Sequence, residues 1–380
     1  MLTKILLTIY RILFIVILSL SSTVNAENLA ELKAKLDNLK ITTDELVKIQ
    51  ENCHSNDGSA CFALGTMYQY SNAQDLSKAA SFYQKGCDLD FGVACFVLGA
   101  MYRNGNGVVQ DLFKAASLYQ KGCDLDDGIS CRSLGIMYET KDLFTAANLY
   151  QKGCDLDDGI ACGVLGAMYE NGNGVAKDLF KAANFYQKGC DLDDGSACFV
   201  LGAMYRNGNG VAQDLSKAVS LYQKGCDLDD GIACAELGAM YQNGNDVAQD
   251  LSKAVSLYQK GCDLDEGAVC FVLGFMYQNG NGVAQDLFKA ASLYQKGCDL
   301  NYGNACLVLG SMYLRGDGVA QDLIKAASLY QKGCDLDSGS ACAVLGRMYQ
   351  DGVIVTQNVS KSRTLLQKAC RLGFAEACTE

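Results

Sequence analysis

One stretch of the sequence, GSACFVLGAMYRNGNGVAQDLSKAVSLYQKGCDLDD (residues 195–230), returns in nine versions along the chain. The units are 34, 36 and 31 residues long, and then 36 residues each. They begin at Gly58, Gly92, Gly128, Gly159, Gly195, Gly231, Gly267, Gly303 and Gly339. A period of roughly 20–50 residues indicates a solenoid, because each unit can bury its apolar face only against its neighbours. The sequence therefore predicts one elongated repeat domain.

The first half of each unit predicts a helix that ends at a glycine-rich loop. One apolar stripe has the i, i+3, i+4 and i+7 spacing of a helix, and its members are Cys198, Leu201, Gly202 and Tyr205. The loop RNGNGV follows. Its glycines, Gly208 and Gly210, can take the left-handed conformation that ends a helix.

The second half of each unit predicts another helix. Asp214 is expected to cap its first turn, and the ninth unit has Asn358 at the same place. One face of this helix carries Leu215, Ala218, Tyr222 and Cys226. The two short units lose residues between the helices, as a surface loop allows.

The amino terminus predicts export. Lys4 and Arg11 precede the apolar run ILFIVILSL, and SSTVNA ends at Ala26, which is the pattern of a cleaved signal peptide. An uncleaved anchor is the alternative, but nine apolar residues are short for a span of about 20. Removing two positive charges takes the net charge from −11 to about −13. So acidic a chain is a poor partner for nucleic acid or an anionic membrane.

Cysteine spacing predicts covalent links between units. Each of the ten pairs has seven residues between its members. Positions eight apart on one helix lie about 12 Å apart, whereas a disulfide needs Cα atoms within about 7 Å. The chain must therefore reverse at DLDDG, and each bridge would join two units. The predicted pairs are Cys53–Cys61, Cys87–Cys95, Cys123–Cys131, Cys154–Cys162, Cys190–Cys198, Cys226–Cys234, Cys262–Cys270, Cys298–Cys306, Cys334–Cys342 and Cys370–Cys378.

Motifs for metal or catalytic chemistry are weak. Zinc sites favour close cysteine pairs or histidines, and His54 is the single histidine. Redox pairs favour C-x-x-C, and DLDDG lacks the glutamate that closes an EF-hand loop. The mature chain has no S-x-x-K and no G-x-S-x-G motif. We therefore expect no metal and no cofactor, and the sequence identifies no catalytic residue.

A binding face is easier to identify. The residues that vary between units lie one, five and eight positions after the cysteine of the first helix, so they share a helical face. Exposed phenylalanine beside arginine is typical of interaction surfaces, although free drift of an unconstrained surface is the alternative explanation. The candidate ligand-binding residues are Phe96, Arg103, Arg132, Phe199, Arg206, Phe271 and Phe275.

These motifs resemble those of the SLR (Sel-one-like repeat) family, relatives of the tetratricopeptide repeats. The pattern A-C-x-x-L-G-x-M-Y-x-N-G-x-G-V-x-x-D-x-x-K-A-x-x-x-Y-Q-K-G-C covers nearly all of 58–374. The cysteine pairs and the signal peptide are similar to those of the secreted Helicobacter cysteine-rich proteins. The resemblance implies a right-handed α/α superhelix stapled by disulfides, with penicillin binding and slow β-lactam hydrolysis.

The expected protein is all-α, an α/α superhelical solenoid of tetratricopeptide-like repeats stapled by disulfides. We expect a signal peptide at 1–26, capping helices within 27–57 (over 28–39 and 43–53), nine repeats over 58–374 and a helical stub at 375–380. The predicted function is binding of peptide-like or penicillin-like ligands by a secreted or periplasmic monomer without a membrane span. The ligand would be a peptide, a peptidoglycan fragment or a protein. A non-enzymatic interaction scaffold is the alternative to a β-lactamase.

Overall fold

The computed structural model describes residues 43–70 and 74–378. This part of the chain forms nineteen α-helices, a 3-10 helix over Ala375–Cys378 and no β-strand. Helix α1 is Thr43–His54. The first helices of the nine repeats are α2 (Gly58–Tyr70), α4 (Gly92–Asn104), α6 (Gly128–Tyr138), α8 (Gly159–Asn171), α10 (Gly195–Asn207), α12 (Gly231–Asn243), α14 (Gly267–Asn279), α16 (Gly303–Arg315) and α18 (Gly339–Asp351). The second helices are α3 (Leu76–Asp88), α5 (Leu112–Asp124), α7 (Leu143–Asp155), α9 (Leu179–Asp191), α11 (Leu215–Asp227), α13 (Leu251–Asp263), α15 (Leu287–Asp299), α17 (Leu323–Asp335) and α19 (Val359–Arg371). The predicted signal peptide and the predicted helix over 28–39 lie outside the described residues.

The chain divides into two compact units, Met1–Leu192 and Asp193–Glu380. Within each unit, a first helix packs against the second helix of its own repeat, and that helix packs against the first helix of the next repeat. First helices of neighbouring repeats also contact one another. This is the packing of a helical repeat solenoid, and the predicted fold class is confirmed.

The core of a repeat is wider than the predicted stripe. In α10 the buried residues include Cys198, Leu201 and Met204, whereas Tyr205 is half-buried. Tyr205 nevertheless packs against the buried cluster, and Met204 is a buried position outside the predicted stripe. A first helix packs against second helices on two sides, so more than one stripe is buried. The ammonium of Lys217 covers the ring of Tyr205 at 4.1 Å from its centroid, at the edge of the core.

Two consecutive aspartates form the reversal between repeats, and each has a different structural role. Asp229 takes a left-handed φ of 62° and donates its N–H to the carbonyl of Cys226 at 3.1 Å. Aspartate is among the few residues that adopt this conformation readily. Asp230 donates its N–H to the carbonyl of Gly225 at 2.9 Å, and its side chain accepts from the N–H of Ala233. The acidic reversal thus ends one helix and caps the next.

The loop within a repeat and the cap that follows it are formed as predicted. Gly208 and Gly210 have φ values of 71° and 73°, in the left-handed region. The side chain of Asp214 accepts from the N–H of Lys217, and Asn358 does the same in the last repeat. These interactions end the first helix and start the second.

Nine of the predicted cysteine pairs are bonded within the two units, with Cα–Cα distances between 4.5 and 4.9 Å. Cys190 and Cys198 are disulfide-bonded as well, and no cysteine in the described chain is free. Each bridge closes the loop that holds the acidic reversal. In the chain-entropy model such a loop of about nine residues restricts the unfolded chain by about 2.5 kcal/mol.

Candidate binding site on the first helices

The ladder face is the surface that the first helices form with the residues one, five and eight positions after their cysteine. We write these positions +1, +5 and +8. They hold every residue that the sequence predicted for ligand binding. The structure separates the three positions, because each has a different relation to a tyrosine of the second helix.

Position +1 packs inward. Phe96 is 7% exposed, and its ring centroid lies 6.0 Å from that of Tyr119. Phe199 is half-buried, 6.0 Å from Tyr222. The expectation of an exposed phenylalanine is therefore wrong at Phe96, because this position borders the buried stripe and faces the second helix.

Phe271 occupies the same position in a later repeat and is half-buried. Its ring lies 5.6 Å from Tyr294 and 5.4 Å from Tyr302. It thus joins the tyrosine of its own repeat to the start of the next first helix. At +1, phenylalanine is mainly a packing residue.

Arg132 holds position +1 in the 31-residue repeat. Its Nε lies 3.1 and 3.0 Å from the two carboxylate oxygens of Asp158, and the side chains are 14% and 5% exposed. Asp158 also accepts from the N–H of Ala161 and so caps α8. The guanidinium of Arg132 is therefore engaged by the next repeat, and its role in ligand binding stays a prediction.

The side chain at position +5 is small in several repeats, whereas in one repeat it is a large, exposed phenylalanine. Ala100 and Ala203 are half-buried, whereas Phe275 is 49% exposed. In the next repeat, the hydroxyl of Ser311 lies 3.1 Å from that of Tyr330. Phe275 is thus the predicted phenylalanine with the most accessible ring.

In five repeats the side chain at +8 accepts a hydrogen bond from a buried tyrosine hydroxyl of the second helix. In the unit Met1–Leu192, the hydroxyl of Tyr83 donates to Gln69 at 2.7 Å. The equivalent bonds are Tyr150 with Glu139 at 2.5 Å and Tyr186 with Glu170 at 2.8 Å. The hydroxyl of Tyr119 lies close enough to Arg103 for that charge to oppose the rise in pKa that burial causes. These four tyrosines are the tyrosine ladder of that unit.

The unit Asp193–Glu380 has a ladder of its own. Its bonds are Tyr258 with Gln242 at 2.8 Å and Tyr294 with Gln278 at 2.7 Å. The charge of Arg206 opposes the rise in the pKa of Tyr222 that burial causes. In the repeat of Tyr330, position +8 is Leu314, and the tyrosine turns to Ser311 instead. Arg206 also forms a 2.8 Å ion pair with Glu236.

A glycine in the first helix makes room for each ladder ring. A Cβ added to Gly99 would lie 2.7 Å from the ring of Tyr119, closer than real Cβ atoms approach. The equivalent glycines against ladder rings are Gly65, Gly135, Gly166, Gly202, Gly238, Gly274 and Gly310. The glycine of the repeated Leu-Gly dipeptide in the first helix therefore contacts the tyrosine ring of the second helix in the same repeat.

Burial raises the pKa of several ladder hydroxyls. It raises the pKa of Tyr258 to about 12. For Tyr150 and Tyr186 burial also raises the pKa most, and the hydrogen bonds to Glu139 and Glu170 raise it further. At neutral pH each of these hydroxyls can donate one bond to a carboxylate or amide oxygen, and a tyrosine oxygen can also accept from arginine.

A second set of aromatic residues was missed by the sequence analysis. These residues are second in their helices and strongly exposed: Phe113 (90%), Phe144 (65%), Phe180 (66%), Phe288 (75%) and Ile324 (81%). The signal was available, because the same place holds serine in other repeats. We call this set the second-helix phenylalanine row, with Ile324 as its aliphatic member.

Other chemistry finds little support in the described part of the chain. No group of three His, Cys, Asp or Glu side chains there is placed to hold a metal ion. The ring of His54 forms a 2.6 Å hydrogen bond with the carbonyl of Gln50. None of the helices described is both long and apolar enough to cross a membrane.

Comparison with known proteins gives a family and a fold. The family model described as Sel1 repeat matches nine times, at residues 58–91, 92–127, 128–158, 160–194, 195–230, 231–266, 268–302, 303–338 and 339–374. A search of curated proteins gave no significant match.

Three solved structures illustrate the similarity. One is a protective antigen of uropathogenic Escherichia coli with an SLR fold, 25% identical, with a TM-score of 0.61 over 93% of this chain and 78% of that chain. A Sel1 repeat protein from Oxalobacter formigenes is 25% identical, with a TM-score of 0.55 over 64% of this chain and 96% of that chain. Cysteine-rich protein B of Helicobacter pylori is 37% identical over 35% of this chain and 96% of that chain, with a TM-score of 0.29.

Proposed function

Because the chain belongs to the Sel1 repeat family, we propose that it is an interaction scaffold that binds an extended peptide or protein segment along the ladder face. One observation carries the proposal. In five repeats the +8 side chain accepts a hydrogen bond from a buried tyrosine that holds it in place, at Gln69, Glu139, Glu170, Gln242 and Gln278. Fixed side chains lose less conformational entropy on binding, which favours recognition. A surface whose sequence varies without functional constraint would not need hydrogen bonds that fix its side chains.

The chemistry of the ladder face suits a mixed polar and apolar segment. Arg103, Glu139 and Glu170 give the first unit a charged face. In the second unit, Gln242 and Gln278 give an uncharged one beside the exposed ring of Phe275. Accessible aromatic residues and arginines are common among residues that dominate binding energy.

We place this activity outside the cytoplasm, in the periplasm or the external medium. The disulfides support this location, because they persist in oxidising compartments. The predicted signal peptide would direct the chain there, and a monomer is sufficient for a ladder face that lies within each unit.

A peptidoglycan fragment or a β-lactam is a narrower ligand that family resemblance suggests. The β-lactam ring mimics a cell-wall peptide, so a peptide-binding face would accept it. Incubation of the oxidised full-length protein with a chromogenic cephalosporin tests for slow hydrolysis. Turnover that is lost in Arg206→Gln would favour catalysis at the ladder face, whereas absence of turnover in the native protein would remove the enzyme hypothesis.

A direct test of binding is selection from a random peptide library with the oxidised full-length protein, followed by site-specific crosslinking. A photo-crosslinking residue at Ala167 samples position +5 of the ladder face. The same residue at Asn184, exposed on the second helix of the same repeat, is the matched control. We expect the selected peptides to crosslink from Ala167 and not from Asn184. Crosslinks from Asn184 alone, or a library that yields no binder, would rule out the proposal.

A further inference from the structure

Three consecutive repeats of the first unit present charged +8 residues that have no counter-ion in the described part of the chain. They are Arg103 on α4, Glu139 on α6 and Glu170 on α8, and these first helices contact in sequence. None of the three forms an ion pair within residues 43–70 and 74–378. The nearby charge of Arg132 is held by Asp158 at 3.0 Å. The two glutamates are instead held by neutral tyrosine hydroxyls, Tyr150 at 2.5 Å and Tyr186 at 2.8 Å.

The equivalent arginine of the second unit is different. Arg206 pairs with Glu236 of the next repeat at 2.8 Å. A charge that is already paired gains less from a ligand. The run of unpaired charges therefore lies in the first unit, in the order positive, negative, negative.

The spacing between repeats predicts how far apart the matching charges should lie along a bound peptide. We call this spacing the register. Packed helices lie about 8–10 Å apart, and an extended chain advances about 3.3 Å per residue. One repeat therefore corresponds to about three ligand residues. The charges of a ligand should alternate with those of the face, because like charges in contact oppose binding.

From this arrangement we propose that the ladder face of the first unit binds an extended segment with one acidic and two basic residues at intervals of three, with the acidic residue at Arg103 and the basic residues at Glu139 and Glu170. The inference rests on the proposed function and narrows it to a charge pattern. Binding of other segments, including uncharged ones elsewhere on the ladder face, is an alternative result that the test below can distinguish.

Two synthetic peptides of equal composition test the register. The matched probe contains Glu-Ser-Thr-Lys-Ser-Thr-Lys, and the control contains Lys-Ser-Thr-Glu-Ser-Thr-Lys, which differs in the order of charges whichever way it lies. Fluorescence anisotropy at low ionic strength measures their affinities for the oxidised full-length protein. We expect the matched probe to bind about tenfold more tightly, because exposed ion pairs contribute modestly and several act together.

The chain supplies a conservative variant for the same test. Glutamine at +8 keeps the tyrosine bond in three other repeats, at Gln69, Gln242 and Gln278. Glu139→Gln with Glu170→Gln should therefore fold normally and lose the preference. Phe113→Ser, on the second helix, should keep it.

Equal affinity of the two probes, absence of binding by both, or a preference that survives the double substitution would overturn the register. The proposed function has a separate outcome. If library peptides crosslink from Ala167 but carry no such charge pattern, the register is wrong and the ladder face still binds.

Discussion

Two sets of phenylalanines in this chain behave in opposite ways. Phe96, on a first helix, is 7% exposed and packs on Tyr119, whereas Phe113, on the second helix of the same repeat, is 90% exposed. Both occupy positions where the residue type changes between repeats. The difference lies in what each position faces: +1 faces a buried tyrosine, and the second residue of the second helix faces outward.

This difference separates two meanings of variation in a repeat. At +1, variation is compatible with packing, because different side chains can fill the space beside a ladder ring. At +8, variation changes an accessible group while the tyrosine that holds it stays the same. Only the second kind can encode recognition, so the comparison moves the binding hypothesis from the phenylalanines to Arg103, Glu139 and Glu170.

The largest expected effect is a loss of stability on substitution of Phe96, the buried phenylalanine of the two. Phe96→Ala should lower the free energy of unfolding by about 3–5 kcal/mol, because it removes a buried ring and leaves a cavity. Phe113→Ala should change it by less than about 0.5 kcal/mol. Urea unfolding of the oxidised protein followed by circular dichroism measures both. Similar losses in the two variants would show that the second-helix ring is packed after all.

Crowding a ladder ring should have the next largest effect. Gly99→Ala would place a Cβ 2.7 Å from the ring of Tyr119, so we expect a loss of about 1–3 kcal/mol in the free energy of unfolding.

The last repeat offers a matched control for this substitution. Gly346 faces the flexible side chain of Leu366 instead of a ring, with the nearest carbon 2.9 Å from an added Cβ. Gly346→Ala should therefore cost less. A larger loss at Gly346 would contradict the view that a rigid ring fixes the ladder face.

Alkaline pH should weaken the ladder. Burial raises the pKa of Tyr258 to about 12 in the folded protein, and the unfolded value is about 10. The folded state therefore holds this proton more tightly. Its contribution is complete below pH 10 and is lost as the pH rises toward 12, by at most about 3 kcal/mol. Unfolding free energies at pH 8 and above pH 10 measure the loss, which should be smaller in Tyr258→Phe; equal losses would argue against a buried neutral hydroxyl.

The smallest effect is expected for the exposed row. Phe113→Ser, Phe144→Ser and Phe180→Ser together should leave the free energy of unfolding nearly unchanged, within about 0.5 kcal/mol for each substitution. Serine fits the position, since Ser216 and Ser252 occupy it in other repeats. The triple variant should elute earlier from a hydrophobic column, and a marked loss of stability would show that the row packs against something.

Much of the fold could be predicted because its determinants are local. Asp214 caps a helix through an amide three residues away, and Gly208 ends one through its own φ. The reversal between Cys226 and Cys234 was also predictable, since a disulfide is incompatible with one continuous helix. The double role of Asp229 and Asp230 was missed, because an acidic turn does not reveal which residue is left-handed and which one caps.

The ladder face could be predicted only in part. Spacing within one helix correctly grouped +1, +5 and +8 on one side. It could not show that Phe96 faces inward, because its burial depends on Tyr119, which lies on a different helix. The bond between Glu139 and Tyr150 was missed for the same reason, and so was the ion pair between Arg132 and Asp158 in the next repeat.

The central claim is that ligands bind the ladder face and not the second-helix phenylalanine row. The most direct test is the affinity of one library-selected peptide for two triple variants of the full-length oxidised protein. Arg103→Gln, Glu139→Gln and Glu170→Gln alter the ladder face of the first unit, and Phe113→Ser, Phe144→Ser and Phe180→Ser alter the row. The account predicts at least about tenfold weaker binding in the first variant and unchanged binding in the second. Weaker binding in the phenylalanine variant, with native affinity in the ladder variant, would contradict it.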